Sequence, residues 1–262
     1  MRWTSPVASG LTYSLGKSLY VPITSRCNTL TLPVTRGSNF KLPPEVVASL
    51  CRMRDCEQDT TQWKHWCIWL DTQESNQKLP KPPDTVAFLS SDEASGRPTV
   101  HELFEQVLKA VTMHKTGFDA IVIAGEGEPT LRLTELLELV QQIKQDDTTG
   151  GQKSGIVRVT TNGLVATDDC AAALHTAGVD AVSVALMTHD PTLYDELMQP
   201  PQSSREWQAH ARVCSFVQQA VKVGMKVEIT AVDREEVNKP KTEALAASLG
   251  VQAPVRWRSY YP

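Results

Sequence analysis

The sequence predicts an α/β protein built on a parallel sheet, because short apolar runs alternate with longer segments of helical periodicity. Six runs have the composition of buried strands, and the segments between them are long enough to be crossover helices. At 262 residues the chain has room for one large α/β domain. A curved, partial (β/α)6 barrel and an open doubly wound sheet both produce this rhythm, and periodicity alone does not separate them.

The first half of the chain contains two predicted strands and two predicted helices. The strands lie at Leu19–Thr24 and Phe118–Ala124, and the helices at 99–114 and 131–145. The first of these helices has a clear start signal, since Thr99-Val-His-Glu102 has the spacing of a capping box.

The second half repeats the pattern with four strands. The strand predicted at Ile156–Thr160 is followed by a helix at Thr167–Ala177, which Gly178 closes. The later elements follow in the order strand Val179–Leu186, helices 191–199 and 205–223, strand Val227–Val232, a helix ending at Gly250, and strand Pro254–Arg258.

The segment 38–97 departs from this rhythm, and we interpret it as an insertion after the first strand of a single domain spanning 1–262. It contains one predicted helix, Pro44–Arg54, and a proline-rich run at Leu79–Pro83. Its tryptophans are expected to pack the insertion onto the barrel, with a partner surface as the alternative. They are Trp63, Trp66 and Trp69.

Composition excludes several classes of function. A net charge of −4 gives no electrostatic reason to expect direct binding to nucleic acid or to an anionic membrane. No apolar run approaches the roughly 20 residues that span a bilayer. No apolar secretory signal opens the chain, so its six cysteines are expected to be free thiols, and the cytoplasm is the expected location.

A glycine-rich turn follows the second predicted strand. It reads Gly125-Glu126-Gly127-Glu128 and is followed by proline. Glycines let a backbone approach a ligand closely, and carboxylates pair with an ammonium group. The structural alternative is a plain strand-to-helix turn.

Two further polar residues belong to later predicted strands. Asn162 follows the third strand and offers an amide to a sugar edge, although an Asn-Gly turn is the structural alternative. Ser183 lies within the fourth strand, where a hydrogen-bonded core hydroxyl is the alternative. In barrels, binding sites form at the carboxyl ends of the strands, which is where Cys27, the glycine-rich turn and Asn162 fall.

Taken together, and in the order in which they occur along the chain, these motifs and strands resemble the radical S-adenosylmethionine superfamily, and more narrowly its TatD-associated group. The matching segments cover most of the chain outside 38–97. They are Ser18–Cys27, Gly125–Arg132, Val159–Gly163, Val179–Leu186, Asp190–Tyr194, Gly224–Val232 and Leu249–Val251. The resemblance implies a partial (β/α)6 barrel of the TIM type.

The same resemblance implies a binding site for S-adenosylmethionine. Its amino group would bind at the turn Gly125–Glu128, and its ribose would lie near Asn162 and Ser183. The superfamily's usual first two glycines correspond to Glu126 and Gly127, so Glu126 departs from the pattern and would crowd the methionyl group.

The resemblance also implies a cluster-binding loop that begins at Cys27. In the superfamily three cysteines spaced C-x3-C-x2-C hold a 4Fe–4S cluster, whose open iron takes the amino and carboxylate groups of S-adenosylmethionine. Here the second and third positions are Thr31 and Val34. Iron–sulfur clusters need thiolate ligands, which a hydroxyl and an aliphatic side chain do not replace. The loop therefore predicts a degenerate relative, a pseudoenzyme without the usual cluster, which retains S-adenosylmethionine or nucleotide binding.

Two alternatives draw on the cysteines of the insertion. In the first, the chain is an active radical enzyme whose cluster combines Cys27 with Cys51, Cys56 and Cys67. In the second, the same cysteines bind zinc together with His65, although neither spacing is regular.

Two expectations concern ligands and partners more broadly. Independently of any family, the strand ends could serve another phosphate or sugar ligand in a soluble α/β protein. The resemblance points to a TatD-type metal-dependent nuclease as a partner. The chain itself lacks the paired histidine and carboxylate motifs of a nuclease site.

Overall fold

The structure is a computed structural model of the chain. It describes residues 11–44, 46–50, 98–114, 116–125, 127–146, 155–165, 167–200 and 208–262. Glu126 and most of the predicted insertion, with its tryptophans and with Cys51, Cys56, His65 and Cys67, lie outside the described residues. Residues 46–50 are helical and agree with the helix predicted at Pro44–Arg54, of which residues 51–54 are outside the described part.

Seven strands form one sheet, in which the spatial order follows the order along the chain. They are β1 Tyr13–Leu15, β2 Ser18–Val21, β3 Ala120–Ile123, β4 Ile156–Thr161, β5 Ala181–Ala185, β6 Lys226–Asp233 and β7 Arg256–Ser259. The pairs β2–β3, β5–β6 and β6–β7 are parallel, as the alternation of strands and helices predicts.

The described part of the chain contains the six predicted crossover helices, in the predicted order, and one further short helix. They are α1 Leu32–Thr35, α2 Val100–Met113, α3 Leu133–Gln145, α4 Cys170–Ala177, α5 Pro191–Met198, α6 Ala209–Lys222 and α7 Lys239–Ser248. Only the short α1 was not predicted. A 3-10 helix, Pro129–Arg132, precedes α3 and accounts for the early start of the predicted helix at 131.

The first strand of the sheet, β1, was missed by the sequence analysis. It pairs antiparallel with β2 through a two-residue turn, in which Gly16 has a φ of +61°. Tyr13 and Tyr20 lie opposite one another in this hairpin, and their rings stack with centroids 5.2 Å apart. A three-residue strand is too short for a periodic pattern, which explains the omission.

The predicted capping box at the start of α2 is present. The Thr99 hydroxyl accepts a hydrogen bond from the backbone N–H of Glu102, and the Glu102 carboxylate accepts one from the N–H of Thr99. Two of the helix's free N–H groups are thereby satisfied by its own first turn. Helix α2 then continues to Met113, one residue short of the predicted end.

By their internal contacts, the described residues form two compact units. The first comprises residues 1–26 and 41–158 as far as they are described. Its strand β3 is buried along its whole length, and α2 packs against α3. The apolar faces of these two helices are fully buried, with Leu103, Val107, Leu136, Leu139, Val140 and Ile143 at their centre.

A buried arginine ties three segments of the first unit together. Arg132, 7% exposed, donates from Nη1 to the carbonyl of Ile23 at 2.7 Å and to that of Pro98 at 3.1 Å. Its Nε lies 3.3 Å from a carboxylate oxygen of Glu135 in α3. One guanidinium is therefore bonded to three segments: the chain after β2, the chain before α2 and the start of α3.

The second unit comprises residues 27–40 and 159–262 as far as they are described. Strand β5 is entirely buried, and α6 packs on β6 and against α4 and α5. Val213, Phe216 and Val217 form the buried face of α6. In the described part of the chain, none of the helices has both the length and the apolar character that crossing a membrane requires.

Replacement of Arg132 by methionine should lower the free energy of unfolding by roughly 2–4 kcal/mol. Two buried carbonyl groups lose their donor, and an unsatisfied buried acceptor costs about 1–3 kcal/mol. The change is measured by urea denaturation followed by far-ultraviolet circular dichroism.

The matched control is Arg256→Met, which removes an arginine that is 46% exposed and paired with Glu228. Exposed ion pairs contribute roughly 0–1 kcal/mol, so the control should be close to wild type. Equal losses in the two variants would contradict the bridging role of Arg132.

Candidate functional site

The glycine-rich turn packs against the chain that leads to Cys27. A Cβ added at Gly125 would lie 2.7 Å from the Cβ of Pro22. At Gly127 it would collide with the carbonyl oxygen of Thr24 and lie 2.5 Å from that of Arg26. Both glycines are thus required by the close approach of the protein's own backbone, independently of any ligand.

The carboxylate of Glu128 caps the 3-10 helix that follows the turn. Glu128 is 2% exposed, and its Oε1 accepts from the backbone N–H of Thr130 at 3.0 Å and from the Thr130 hydroxyl at 2.7 Å. Its own N–H donates to the carbonyl of Arg26 at 2.7 Å. The expected pairing of this side chain with a ligand's ammonium group would therefore compete with a cap that is already formed.

Asn162, which was predicted to lie near a ribose, contacts the Cys27 loop. We call residues 27–40 the Cys27 loop. The Nδ2 of Asn162 donates to Oδ1 of Asn28 at 2.6 Å and to Oγ1 of Thr29 at 3.1 Å, and it lies 3.8 Å from Sγ of Cys27. Cys27 is 7% exposed, and its sulfur also lies 3.6 Å from the Thr29 hydroxyl.

The turn that carries Asn162 is fixed by the same group of hydrogen bonds. Oδ1 of Asn162 accepts from the N–H of Leu164, and Nδ2 of Asn28 donates to the Leu164 carbonyl. Gly163 has a φ of +77°, which a glycine adopts without strain. The amide of Asn162 therefore joins the end of β4 to the beginning of the Cys27 loop.

The described residues of this loop do not fit a cluster held by three thiolates. Thr31 precedes α1, is 6% exposed and makes no capping hydrogen bond through its side chain. Val34 lies within α1 and has no donor atom. Among the described residues, no group of three or more His, Cys, Asp or Glu side chains is arranged to hold a metal ion. Cys27 is thus the only thiolate that the described part of the loop provides.

Ser183 belongs to a polar network across the last three strands. Its hydroxyl donates to Oε1 of Glu228 at 3.0 Å and lies 3.1 Å from the hydroxyl of Thr230. Arg256 donates to the same Glu228 oxygen at 3.3 Å. The four side chains lie on one face of β5, β6 and β7, since Ser183 pairs with Glu228, and Thr230 pairs with Arg256.

The sequence analysis did not single out Glu228, although a signal was present. In β6, polar residues alternate with apolar ones, as expected for a strand with one polar face. The polar positions are Lys226, Glu228 and Thr230. Reading this period of two would have identified a carboxylate and a hydroxyl beside Ser183.

The comparison with known protein families gives one match. The model of the radical SAM superfamily matches residues 86–235, which is more than half of the chain. The chain belongs to the radical SAM superfamily. The matched span includes the glycine-rich turn, Asn162 and Ser183, but it begins after Cys27, Thr31 and Val34. The match to the superfamily therefore rests on the strands and helices of residues 86–235, and the Cys27 loop does not contribute to it.

Solved structures with the same fold include two proteins with S-adenosylmethionine bound. SuiB from Streptococcus suis, bound to S-adenosylmethionine, is 13% identical with a TM-score of 0.55, over 95% of this chain and 42% of that one. The protein anSMEcpe, with bound AdoMet, is 11% identical with a TM-score of 0.52, over 92% of this chain and 50% of that one. This chain thus spans half or less of the length of these structures. No curated protein matches it.

These similarities confirm the predicted fold class, which is the α/β fold of the partial, TIM-type radical SAM barrel. They decide between the two architectures that periodicity left open, and the open doubly wound sheet is excluded. At this level of identity they establish the fold alone.

Replacement of Thr31 by valine should leave the stability unchanged or raise it by up to about 1 kcal/mol. The Thr31 hydroxyl is buried and has no hydrogen-bond partner among the described residues, so its burial is uncompensated. Valine has nearly the same shape and removes only the hydroxyl. The measurement is the midpoint of urea unfolding.

The control with identical chemistry is Thr29→Val. The Thr29 hydroxyl accepts from Asn162 and donates to the Leu30 carbonyl, so its loss should destabilise the protein by about 1 kcal/mol. A larger loss for Thr31→Val than for Thr29→Val would show that the Thr31 hydroxyl has a partner.

Proposed function

We propose that this protein is a pseudoenzyme of the radical SAM superfamily, which lacks the usual 4Fe–4S cluster and binds S-adenosylmethionine or a related nucleotide. The observation that carries the proposal is the donor set of the Cys27 loop. Thr31 and Val34 occupy the positions at which the superfamily pattern has its second and third cysteines. A hydroxyl and an isopropyl group do not ligate iron in place of thiolates.

Retained binding is supported by the polar network of the last three strands. Glu228 is a carboxylate with partly exposed atoms, and ribose hydroxyls are good donors to a carboxylate. Ser183 and Arg256 hold this carboxylate in place, and the Thr230 hydroxyl contacts that of Ser183. We therefore propose Glu228 and Ser183 as ligand contacts.

Asn162 and Glu128 have a different role in this proposal. Both use their side chains for contacts within the protein, Asn162 with side chains of the Cys27 loop and Glu128 with the N–H and hydroxyl of Thr130. We assign them to positioning the binding surface rather than to contacting the ligand. Glu126 lies outside the described residues, and its proposed place in the turn that binds the amino group of S-adenosylmethionine rests on the resemblance.

The alternative function is that of an active radical enzyme. It requires Cys51, Cys56 and Cys67 to supply sulfur together with Cys27. Those three residues lie outside the described part of the chain, so this alternative is decided by iron content. When bound, such a cluster would supply the electron for reductive cleavage of S-adenosylmethionine.

Anaerobic reconstitution should leave the protein without stoichiometric iron and sulfide, yet it should bind S-adenosylmethionine. We expect a dissociation constant on the order of 10 μM by calorimetry. About four irons per chain, with an electron paramagnetic resonance signal that shifts on adding S-adenosylmethionine, would establish the active enzyme instead. Absence of both iron and binding would point to a different phosphate or sugar ligand.

The contribution of Glu228 is tested in the same titration. Glu228→Gln should weaken binding by at least about tenfold, because an amide is a poorer acceptor than a carboxylate. Glu243→Gln is the matched control, since Glu243 bonds the indole N–H of Trp257 and is outside the proposed site. Equal affinities of the two variants would remove Glu228 from the site.

We propose a TatD-type metal-dependent nuclease as the protein partner and the cytoplasm as the location. Both proposals come from the sequence, the first from the resemblance to the TatD-associated group. The second comes from the expected lack of a secretory signal and of a disulfide framework.

A mixture of the two proteins at about 10 μM should elute as one complex on size exclusion with light scattering, if the affinity is micromolar. An unrelated barrel hydrolase serves as the control. Separate elution would remove the nuclease as a stable partner and would leave the ligand proposal untouched.

A further inference from the structure

The last residues of the chain lie along the far end of the Cys27 loop. We call residues 259–262 the C-terminal strap. The N–H of Tyr261 donates to the carbonyl of Arg36 at 2.7 Å, and the N–H of Asn39 donates to the carbonyl of Tyr261 at 3.2 Å. The Nε of Arg36 donates to the carbonyl of Ser259 at 3.1 Å. The strap and the loop are thus joined by hydrogen bonds in both directions.

Two aromatic rings, one from the loop and one from the strap, lie close to the side chain of Arg36. The guanidinium of Arg36 lies 3.8 Å from the centroid of the Phe40 ring and 5.3 Å from that of Tyr261. Burial lowers the pKa of Arg36, and the neighbouring Tyr261 opposes this shift. A cation close to two rings gains from both quadrupoles, so this contact adds to the backbone hydrogen bonds.

A second arginine reinforces the strap from β6. Arg234 lies over the ring of Tyr260 at 4.4 Å and is 3.4 Å from the carbonyl of Thr35, to which it donates. Its Nε also donates to Glu236, which fixes the guanidinium. The loop is therefore bonded to β6 as well as to the strap.

Gly37 is the point of closest approach between the loop and the strap. Its φ is +100°, and an added Cβ would collide with the carbonyl oxygen of Tyr261. Any other residue at this position would strain the backbone and displace the strap. The sequence thus has a glycine where the contact needs one.

We infer that contacts within the chain take the place of a metal in ordering the Cys27 loop. Asn162 holds its first residues, and the C-terminal strap holds its last ones. The inference builds on the proposed absence of the cluster. It predicts a loop whose order is independent of iron and depends on Arg36 and Tyr261.

Hydrogen exchange of the full chain, followed by mass spectrometry without S-adenosylmethionine, tests this inference. Exchange over residues 35–40 should be the same after chelator treatment and after anaerobic addition of iron and sulfide. Tyr261→Ala should raise it by at least about tenfold, since the ring beside Arg36 is lost and the backbone hydrogen bonds of the strap open more often without it. Gly37→Ala, which disturbs the contact from the loop side, should have the same effect. Protection of α6 serves as the internal reference for intact folding.

Two controls separate the strap from general destabilisation. Tyr261→Phe keeps the ring and the backbone contacts and removes only the hydroxyl that bonds Arg36, so exchange should rise much less than in Tyr261→Ala. Asn162→Ala should raise exchange at the beginning of the loop, where the Leu30 N–H donates to the Met198 carbonyl, and not over residues 35–40.

The outcomes also distinguish this inference from the proposed function. Slower exchange over the loop on adding iron, or unchanged exchange in Tyr261→Ala, would overturn the inference. Stoichiometric iron without any change in exchange would refute the proposed lack of a cluster and leave the strap in place.

Discussion

The close packing of the glycine-rich turn against residues 22–26 is the constraint on which the candidate site depends. Gly125 and Gly127 leave no space for a side chain, and the N–H of Glu128 is bonded to Arg26. Arg132 adds a buried guanidinium to the same region through the carbonyl of Ile23. The position at which the chain enters the Cys27 loop is therefore set by backbone contacts that tolerate little change.

The features that the sequence predicted correctly are those encoded by neighbouring residues. The buried strands β3 and β5 are continuous apolar runs, and the start of α2 is defined by Thr99 and Glu102. The partners of Asn162 were not predictable in this way, since Asn28 and Thr29 are more than 130 residues away in sequence. Local periodicity carries no information about such a contact.

The glycines of the turn have a structural cause, which the sequence analysis gave as the alternative to a ligand site. In the structure they make room for the carbonyl groups of Thr24 and Arg26, and the carboxylate of Glu128 caps the 3-10 helix. The family resemblance singled out this segment, and the contacts of each residue give its role in the fold.

The capping box of α2 has a consequence for how this chain can vary. The helix satisfies its own first N–H groups through Thr99 and Glu102, and Arg132 bonds the preceding carbonyl of Pro98. The position of Pro98, directly before α2, is thus fixed by the cap of that helix and by Arg132. The capping of α2 therefore requires no side chain from upstream of Thr99. A substitution further upstream should leave the first turn of this helix intact, whereas a change at Thr99 or Glu102 removes half of the reciprocal cap.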